Sequence, residues 1–202
     1  MPDARRYVLF PIILISCRAM AVYNTSSDSA NTAVRAFLTK VGEHYLGHVF
    51  NTGSGKGKSL WEDIRDVHFK SCCAYCGTSS DRLQIEHVIM FNRTEYGLHH
   101  PGNIVPCCKS CNKRVRNADK TYCDWRQHLM HVCSKRNEEH LFEVREQQIL
   151  DNFERYDYPK LNENEHHAIR VIAASLYDNI KTESEKSLNM YKQLDEAFVK
   201  SI

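Results

Sequence analysis

Hydrophobic residues recur at helical spacing in the first third of the chain, after a polar, turn-rich stretch. One face of the predicted helix combines Val34, Phe37, Leu38, Val41 and Tyr45, which recur at helical spacing. Further along, Ser59-Leu-Trp-Glu62 has the form of a capping box and predicts a short helix that begins at Ser59. The pattern therefore predicts a helical N-terminal region over residues 24–70.

The periodicity changes to alternation in the middle of the chain. Residues 82–87 alternate as a strand does, and residues 103–106 predict a second short strand. The intervening loop is polar and contains Asn92, Arg93, His99 and His100. Residues 109–119 are polar and basic without proline, and they predict a helix. Residues 71–120 are thus expected to form one module in the order strand, loop, strand, helix.

Helical periodicity returns towards the C-terminus. One helix is predicted from the spacing of Leu141, Val144, Ile149 and Phe153. Asn162-x-x-Glu165 and Thr182-x-x-Glu185 predict the starts of two more helices. We expect residues 121–202 to form a helical C-terminal region that packs against the central module, in an α+β fold.

Residues 1–23 form an apolar N-terminal extension. Arg5 and Arg6 precede an apolar run at residues 7–17, and Ala19-Met20-Ala21 has the small-x-small form of a cleavage site. The run is too short for a stable membrane span. A misread start, with Met20 as the true first residue, is the first interpretation and implies a cytoplasmic protein. An export signal and a buried strand are the alternatives.

Charge is distributed unevenly although the net charge is only +2. Residues 105–136 contain eight Lys or Arg against two Asp, whereas residues 137–202 contain fourteen Asp or Glu against eight Lys or Arg. The ordinary apolar and charged fractions exclude a disordered chain and a multi-span membrane protein. The basic block coincides with the second cysteine pair, and it indicates a surface that faces a polyanion.

Four of the nine cysteines form two C-x-x-C pairs, Cys73 with Cys76 and Cys108 with Cys111. This spacing lets two thiolates of each pair bind one tetrahedral ion, which predicts a structural Zn²⁺ site and a reducing compartment. The 31 residues between the pairs exceed the gap of a zinc ribbon and indicate an inserted hairpin. The remaining cysteines and histidines near the pairs are interpreted as packing or helix residues: Cys72, Cys107, Cys123, His128, His131 and Cys133.

A candidate hydrolytic site lies between the cysteine pairs. His87 is the candidate general base, because imidazole titrates near neutral pH. Glu86 and Asn112 offer hard oxygen ligands of the kind that Mg²⁺ prefers. Adjacent residues of a regular strand point to opposite faces, so a twist or bulge would be needed to bring Glu86 and His87 to one site.

Together these residues, over about positions 73–116, resemble the HNH endonuclease family, whose fold is the ββα-metal finger. The resemblance implies that His87 is the general base, that Asn103 braces the loop between the strands, and that Asn112 and Glu86 hold a catalytic Mg²⁺ or Mn²⁺. Glu86 stands where Asp is commoner. The resemblance further implies a DNA substrate and products with 5′-phosphate and 3′-hydroxyl ends.

The partner expected from these features is DNA, most readily double-stranded. Backbone phosphates would be contacted by Lys109, Lys113, Arg114 and Arg116. Cleavage of both strands by one such finger favours a homodimer or sequential nicking. The biological role stays open among restriction or phage defence, homing and nonspecific cleavage. A non-catalytic zinc-stabilised nucleic-acid-binding module is the main alternative, and a thiol redox protein is a poorer one.

Overall fold

A computed structural model describes residues 25–199, so the apolar extension at residues 1–23 lies outside the described part. The helices are α1 (Ser26–Leu46), α2 (Gly55–Glu62), α3 (Trp125–Lys135), α4 (Phe142–Arg155) and α5 (Glu163–Leu194). The strands are β1 (Gln84–His87) and β2 (Ile104–Cys107). Helices and a small sheet thus occur together, which confirms the α+β fold class.

The N-terminal helices form where the hydrophobic pattern places them, but α2 begins earlier than its predicted cap. Helix α1 is capped by the Thr25 side chain and ends at Gly47, which adopts the left-handed conformation (φ 78°). Helix α2 follows Ser54, and the hydroxyl of Ser59 donates to the carbonyl oxygen of Gly55 at 3.5 Å. Ser59 therefore lies inside the helix, and the predicted start at Ser59 is wrong, because its side chain bonds back along the helix rather than capping it.

Strands β1 and β2 pair in antiparallel register, with Glu86 opposite Val105 and His87 opposite Ile104. The predicted helix at residues 109–119 is wrong. The backbone N–H groups of Cys111 and Asn112 both donate to Cys108 O at 3.0 Å, which closes the second cysteine knuckle as a turn. Beyond it, Arg116 pairs with Tyr122 in an antiparallel bridge. The first helix after the sheet is instead α3, which is capped by the Asp124 carboxylate.

In the C-terminal region, α3 is followed by helices α4 and α5. Helix α4 confirms the prediction from the 141–153 periodicity, and α5 begins at the predicted capping box of Asn162 and Glu165. The predicted start at Thr182 is wrong, because α5 continues through that position for 32 residues in all. None of the helices within residues 25–199 combines the length and the hydrophobicity needed to cross a bilayer.

Two hydrophobic clusters organise these elements. The larger cluster surrounds the cysteine knuckles and the sheet; it includes Trp61, Tyr75, Trp125, Leu129 and Ile149. The smaller cluster joins α1 to α5 through Val34, Leu38, Ile169 and Ala173, and Leu98 of the loop between the strands inserts into it. The strand–loop–strand unit is therefore held from two sides, by the larger cluster beneath the sheet and by the α1–α5 pair against the loop.

Candidate metal centre and active site

The four predicted cysteines meet at one point. The sulfur atoms of Cys73, Cys76, Cys108 and Cys111 all lie within 4.8 Å of one another. Cys76 Sγ and Cys108 Sγ are 3.7 Å apart, and four sulfurs at about 2.3 Å from one tetrahedral ion lie about 3.8 Å from each other. Hydrogen bonds from neighbouring thiols, of which that of Cys107 has the largest effect, lower the pKa of Cys73. The donor set and its spacing fit Zn²⁺.

Residues outside the knuckles hold them in place. Gly77 (φ 67°) turns the first knuckle, and Ala74 N–H donates to Pro106 O of β2 at 2.8 Å. Arg145 of α4 donates to Cys76 O at 3.1 Å, and a nitrogen of the His128 ring lies 2.8 Å from Cys111 O. Hydrogen bonds to the backbone around a metal ligand fix its orientation. Arg145 and His128 thus support the four-cysteine cluster, and within residues 25–199 no second group of three or more His, Cys, Asp or Glu side chains is gathered at metal-binding distance.

Glu86, at the end of β1, lies on the charged side of the strand. Its Oε1 accepts a hydrogen bond from Arg114 at 2.9 Å, and the same guanidinium lies 3.4 Å from Glu95 Oε1 and donates to the carbonyl oxygens of His87 and Val88. Burial raises the pKa of the Glu86 carboxyl, and the positive charge of Arg114 opposes that rise. Arg114 is therefore the cation that neutralises this carboxylate in the folded chain.

His87, the next residue, lies among rings. Its side chain stacks on Phe91 with ring centroids 4.7 Å apart and an interplanar angle of 17°. Its Nε2 is 2.9 Å from Nδ1 of His99. Burial, reinforced by the proximity of His99, lowers the pKa of His87 to about 3. The imidazole is consequently neutral at pH 7 and is held by two neighbours.

The side chain of Asn103 hydrogen-bonds to two separate points of the loop between the strands. Its Nδ2 donates to Ile89 O and Leu98 O, both at 2.9 Å, and its Oδ1 accepts from Ile89 N–H at 2.7 Å. Asn103 is fully buried, so these bonds satisfy a side chain that has no access to water. The hydrogen bonds fix the turn that follows His87, and with it the direction in which the imidazole leaves the strand.

Glu86 and Asn112 line one cavity, of about 320 Å³, together with Lys113, Arg114 and Arg116. The Nδ2 of Asn112 donates to Gln84 Oε1 at 3.0 Å, which fixes the amide beside the strand. His87 does not line this cavity. The structure thus brings the two candidate cation ligands together and places the candidate base next to them along the strand, against Phe91 and His99.

The predicted phosphate-contacting residues divide into two groups. Lys109, Lys113 and Arg116 are exposed. Arg114 differs from these three residues, because its side chain is only 2% exposed and is paired with two carboxylates. The positive charge of Arg114 is balanced by Glu86 and Glu95 inside the protein. Arg114 therefore does not present a free cation to a nucleic acid.

Several residues that position the site are not indicated by the sequence pattern. Asn152 of α4 is fully buried, and its Nδ2 lies 3.0–3.1 Å from the carbonyl oxygens of Pro101, Gly102 and Ile104. Glu95 and Phe91 are ordinary loop residues by pattern. Asn152 could have been recognised from its spacing, because it lies three residues after Ile149 on the buried side of a predicted helix. A buried amide requires hydrogen-bond partners.

Residues 73–118 match the family model of HNH endonuclease. No curated protein and no solved structure gives a significant match to the chain. The family match begins at the first zinc-type cysteine and ends just beyond the second knuckle, so it covers the sheet, the loop and the cysteine cluster. The chain therefore contains a segment, residues 73–118, that matches the HNH endonuclease model, and within it four cysteines are gathered at zinc-binding distance.

Proposed function

We propose that the protein is a metal-dependent endonuclease that hydrolyses phosphodiester bonds of DNA. The observation that carries the proposal is the end of β1. There Glu86 shares a cavity with Asn112 and two exposed cations, while the adjacent His87 is a neutral imidazole held by His99. These features occur within the segment that matches HNH endonucleases. A phosphodiester hydrolase requires this combination of a base, oxygen ligands and positive charge.

Glu86 and Asn112 are the residues that would hold the divalent cation. A carboxylate oxygen and an amide oxygen beside one cavity are donors that fit Mg²⁺ or Mn²⁺. A cation bound there would neutralise phosphate charge and stabilise the leaving oxygen. Arg114 holds Glu86 through Oε1, which orients the carboxylate. The zinc-type cluster keeps Asn112, the residue after Cys111, at a fixed place beside the strand.

His87 is proposed as the general base. If its Nε2–H donates to Nδ1 of His99, the Nδ1 lone pair of His87 is left to take a proton from water. The water oxygen then forms a bond to phosphorus, and the bond from phosphorus to the 3′ oxygen breaks. The 3′ oxygen leaves as a hydroxyl once protonated, and the phosphate stays on the 5′ end. Asn103 and Asn152 hold the backbone that carries the base.

The test is the conversion of supercoiled plasmid to the nicked form by the full chain with bound zinc. We expect nicking that requires added Mg²⁺ or Mn²⁺ and that falls by about 10²–10⁴-fold in His87→Ala, the usual contribution of a general base. His167→Ala is the matched control, because His167 is exposed on α5 and does not contact the site. Undiminished nicking by His87→Ala would refute the assignment of the base.

A non-catalytic nucleic-acid-binding module is the second candidate. The observation that favours it is the engagement of the Glu86 carboxylate by Arg114, together with the separation of His87 from the cavity of Glu86 and Asn112. This candidate predicts a zinc-loaded protein that binds plasmid without nicking it in either Mg²⁺ or Mn²⁺. Plasmid retardation without nicking would therefore select it over the nuclease.

A further inference from the structure

A second concave surface lies on the other side of Lys113 from the candidate active site. This groove, which we call the zinc groove, has a volume of about 750 Å³ and runs between the two cysteine knuckles and α3. Its walls include three exposed cations, Lys113, Lys135 and Arg136. Knuckle hydroxyls, among them Ser79 and Ser110, also line it. The groove thus combines positive charge with hydrogen-bond donors.

The charge of the zinc groove is not balanced within its own walls. Its lining includes no Asp or Glu, and its acidic groups are the cysteines of the zinc-type cluster. Four thiolates around one Zn²⁺ would carry a formal charge of about −2, which does not balance the three cations. The larger groove beside α4, of about 860 Å³, is lined by Lys70 and Arg145 but also by Glu143 and Asp151. Arg136 does have an acidic neighbour, Glu138, at 3.0 Å, but the same carboxylate oxygen also accepts from Arg145 at 2.8 Å. One carboxylate therefore serves two guanidinium groups, and the groove retains an excess of positive charge.

Lys113 connects the zinc groove to the candidate active site. It lines the groove and also the cavity that contains Glu86 and Asn112. Arg116 lies on the cavity side of Lys113, where it donates to Tyr122 Oη at 2.8 Å. Lys135 and Arg136 lie on the groove side. The four cations therefore follow one path from the strand end, past the second knuckle, to the end of α3.

We propose that the zinc groove binds the sugar-phosphate backbone of double-stranded DNA next to the bond that is cut, with Lys135 and Arg136 at the end of α3 contacting phosphates. This inference rests on the proposed function and names the path of its substrate. Closely spaced cations that outnumber the neighbouring acidic groups attract a polyanion, and hydroxyl groups donate to phosphate oxygens. These contacts carry no base readout, so the groove predicts binding that depends on salt and not on sequence.

The assignment extends beyond the matched segment, because α3 follows residue 118. Two of the proposed phosphate contacts thus come from a helix end that the family match does not include. The other face of the same helix is buried in the larger hydrophobic cluster through Leu129 and Cys133. Helix α3 therefore has a structural face and, at its C-terminal end, a proposed DNA-binding face.

The test measures the affinity of the full, zinc-loaded chain for a fluorescent duplex by anisotropy, without added Mg²⁺, across a range of salt concentrations. The variant is Lys135→Gln/Arg136→Gln. The matched control is Lys186→Gln/Lys192→Gln, which removes two exposed charges from α5, including one in its last turn. Because basic residues also stabilise the C-terminal end of a helix, thermal melts of both variants establish that each is folded at the assay temperature.

We expect the groove variant to bind at least about tenfold more weakly at low salt, and the slope of log K against log salt to decrease by about 0.9 for each phosphate that the variant no longer neutralises. The α5 variant should bind as the wild type does. Equal affinity and slope in the folded groove variant would overturn the assignment of the groove, even if the wild type nicks DNA. Weaker binding by the groove variant of a protein that never nicks would support the groove while refuting the nuclease. A wild type that neither binds nor nicks would overturn both.

Discussion

The two sides of β1 differ in the charge state that their surroundings stabilise. On one side, Glu86 is a carboxylate paired with the buried Arg114, next to a cavity lined by further cations. On the other side, His87 packs against Phe91 and His99. Burial acts on both groups, raising the pKa of the Glu86 carboxyl and lowering the pKa of the His87 imidazole to about 3. Only the carboxylate has a buried cation to oppose that effect.

This difference suits a division of labour between adjacent residues. A cation ligand must stay ionised, and the positive charge of Arg114 lowers the pKa of Glu86 against the effect of burial. A general base must be neutral in order to accept a proton, and burial keeps the His87 imidazole neutral at pH 7 by lowering its pKa to about 3. The same shift makes the imidazole a weaker base than one that titrates near neutral pH. Environments that favour different charge states in neighbouring titratable groups are a common way of assigning their roles. Metal removal, substitution of Arg114, acid and substitution of His99 should perturb the two sides of β1 to different extents.

Removal of zinc should destroy both sides of the strand at once. Structural Zn²⁺ contributes roughly 10–16 kcal/mol to small zinc-dependent folds, and the cysteine cluster shares its hydrophobic core with Trp61 and Trp125. We expect a strong chelator to shift the tryptophan emission to the red and abolish DNA cleavage. Part of the helical circular dichroism should remain, since the α1–α5 cluster contains no cysteine among its described residues. Unchanged emission from demonstrably metal-free protein would contradict this view of the cluster.

Substitution of Arg114 should act on the charged side alone. Arg114→Met leaves Glu86 and Glu95 without their buried cation and two backbone carbonyls without a donor. Breaking a buried pair in this way costs about 3–5 kcal/mol, which urea denaturation would measure as a lower free energy of unfolding. Arg116→Met, at an exposed neighbouring position, is the control and should change that free energy little. Similar values for the two variants would mean that Arg114 is dispensable to the fold.

Acid should weaken the imidazole side. Burial lowers the pKa of His87 to about 3 and the pKa of His100 to about 4, whereas both titrate near 6.5 when unfolded. Between about pH 6.5 and 4 the unfolded chain binds more protons, so stability is present above this window and falls as the pH decreases. Each histidine contributes a slope of up to about 1.4 kcal/mol per pH unit. His100→Gln should flatten the measured curve, and a curve identical to that of the wild type would exclude His100 as a source.

Replacement of His99 should make the orientation of the proposed base, His87, less well defined while leaving its imidazole in place. His99→Phe keeps a ring beside Phe91 but loses the nitrogen that lies 2.9 Å from His87 Nε2, and we expect the nicking rate to fall by about tenfold through loss of orientation. Because the proximity of His99 helps to lower the pKa of His87, the acid limb of the pH–rate profile should move to higher pH. His99→Gln, which offers an acceptor oxygen, should restore part of the rate. A rate loss without any movement of the acid limb would point to a purely structural role.

The features that the sequence could predict are the local ones. The cysteine spacing predicted the sulfur cluster because two residues between ligands suit one ion whatever the surrounding fold. The strands and the starts of α1, α4 and α5 follow from periodicity and capping within a few residues. The predictions at Ser59 and Thr182 fail for a related reason, since the capping pattern also occurs inside helices, where tertiary packing decides whether the helix continues.

The features that escaped prediction depend on distant contacts. Residues 109–119 have helical composition, but the second knuckle and the Arg116–Tyr122 bridge impose turns on them. Arg114 is indistinguishable from a surface cation when only the basic run is considered. Its burial depends on Glu86 and Glu95, which lie 28 and 19 residues away along the chain. Asn152 likewise reaches the strand from α4, about 50 residues away.

The division of labour at the strand end is tested most directly by a Mg²⁺ titration of plasmid nicking with Glu86→Gln and His87→Ala side by side. We predict that Glu86→Gln requires more Mg²⁺ and regains activity as the concentration rises, because it weakens a ligand and leaves the base in place. His87→Ala should stay slow at every Mg²⁺ concentration, because the defect is in proton transfer. Full activity of His87→Ala at saturating Mg²⁺ would contradict the assignment of the base, and with it the proposed mechanism.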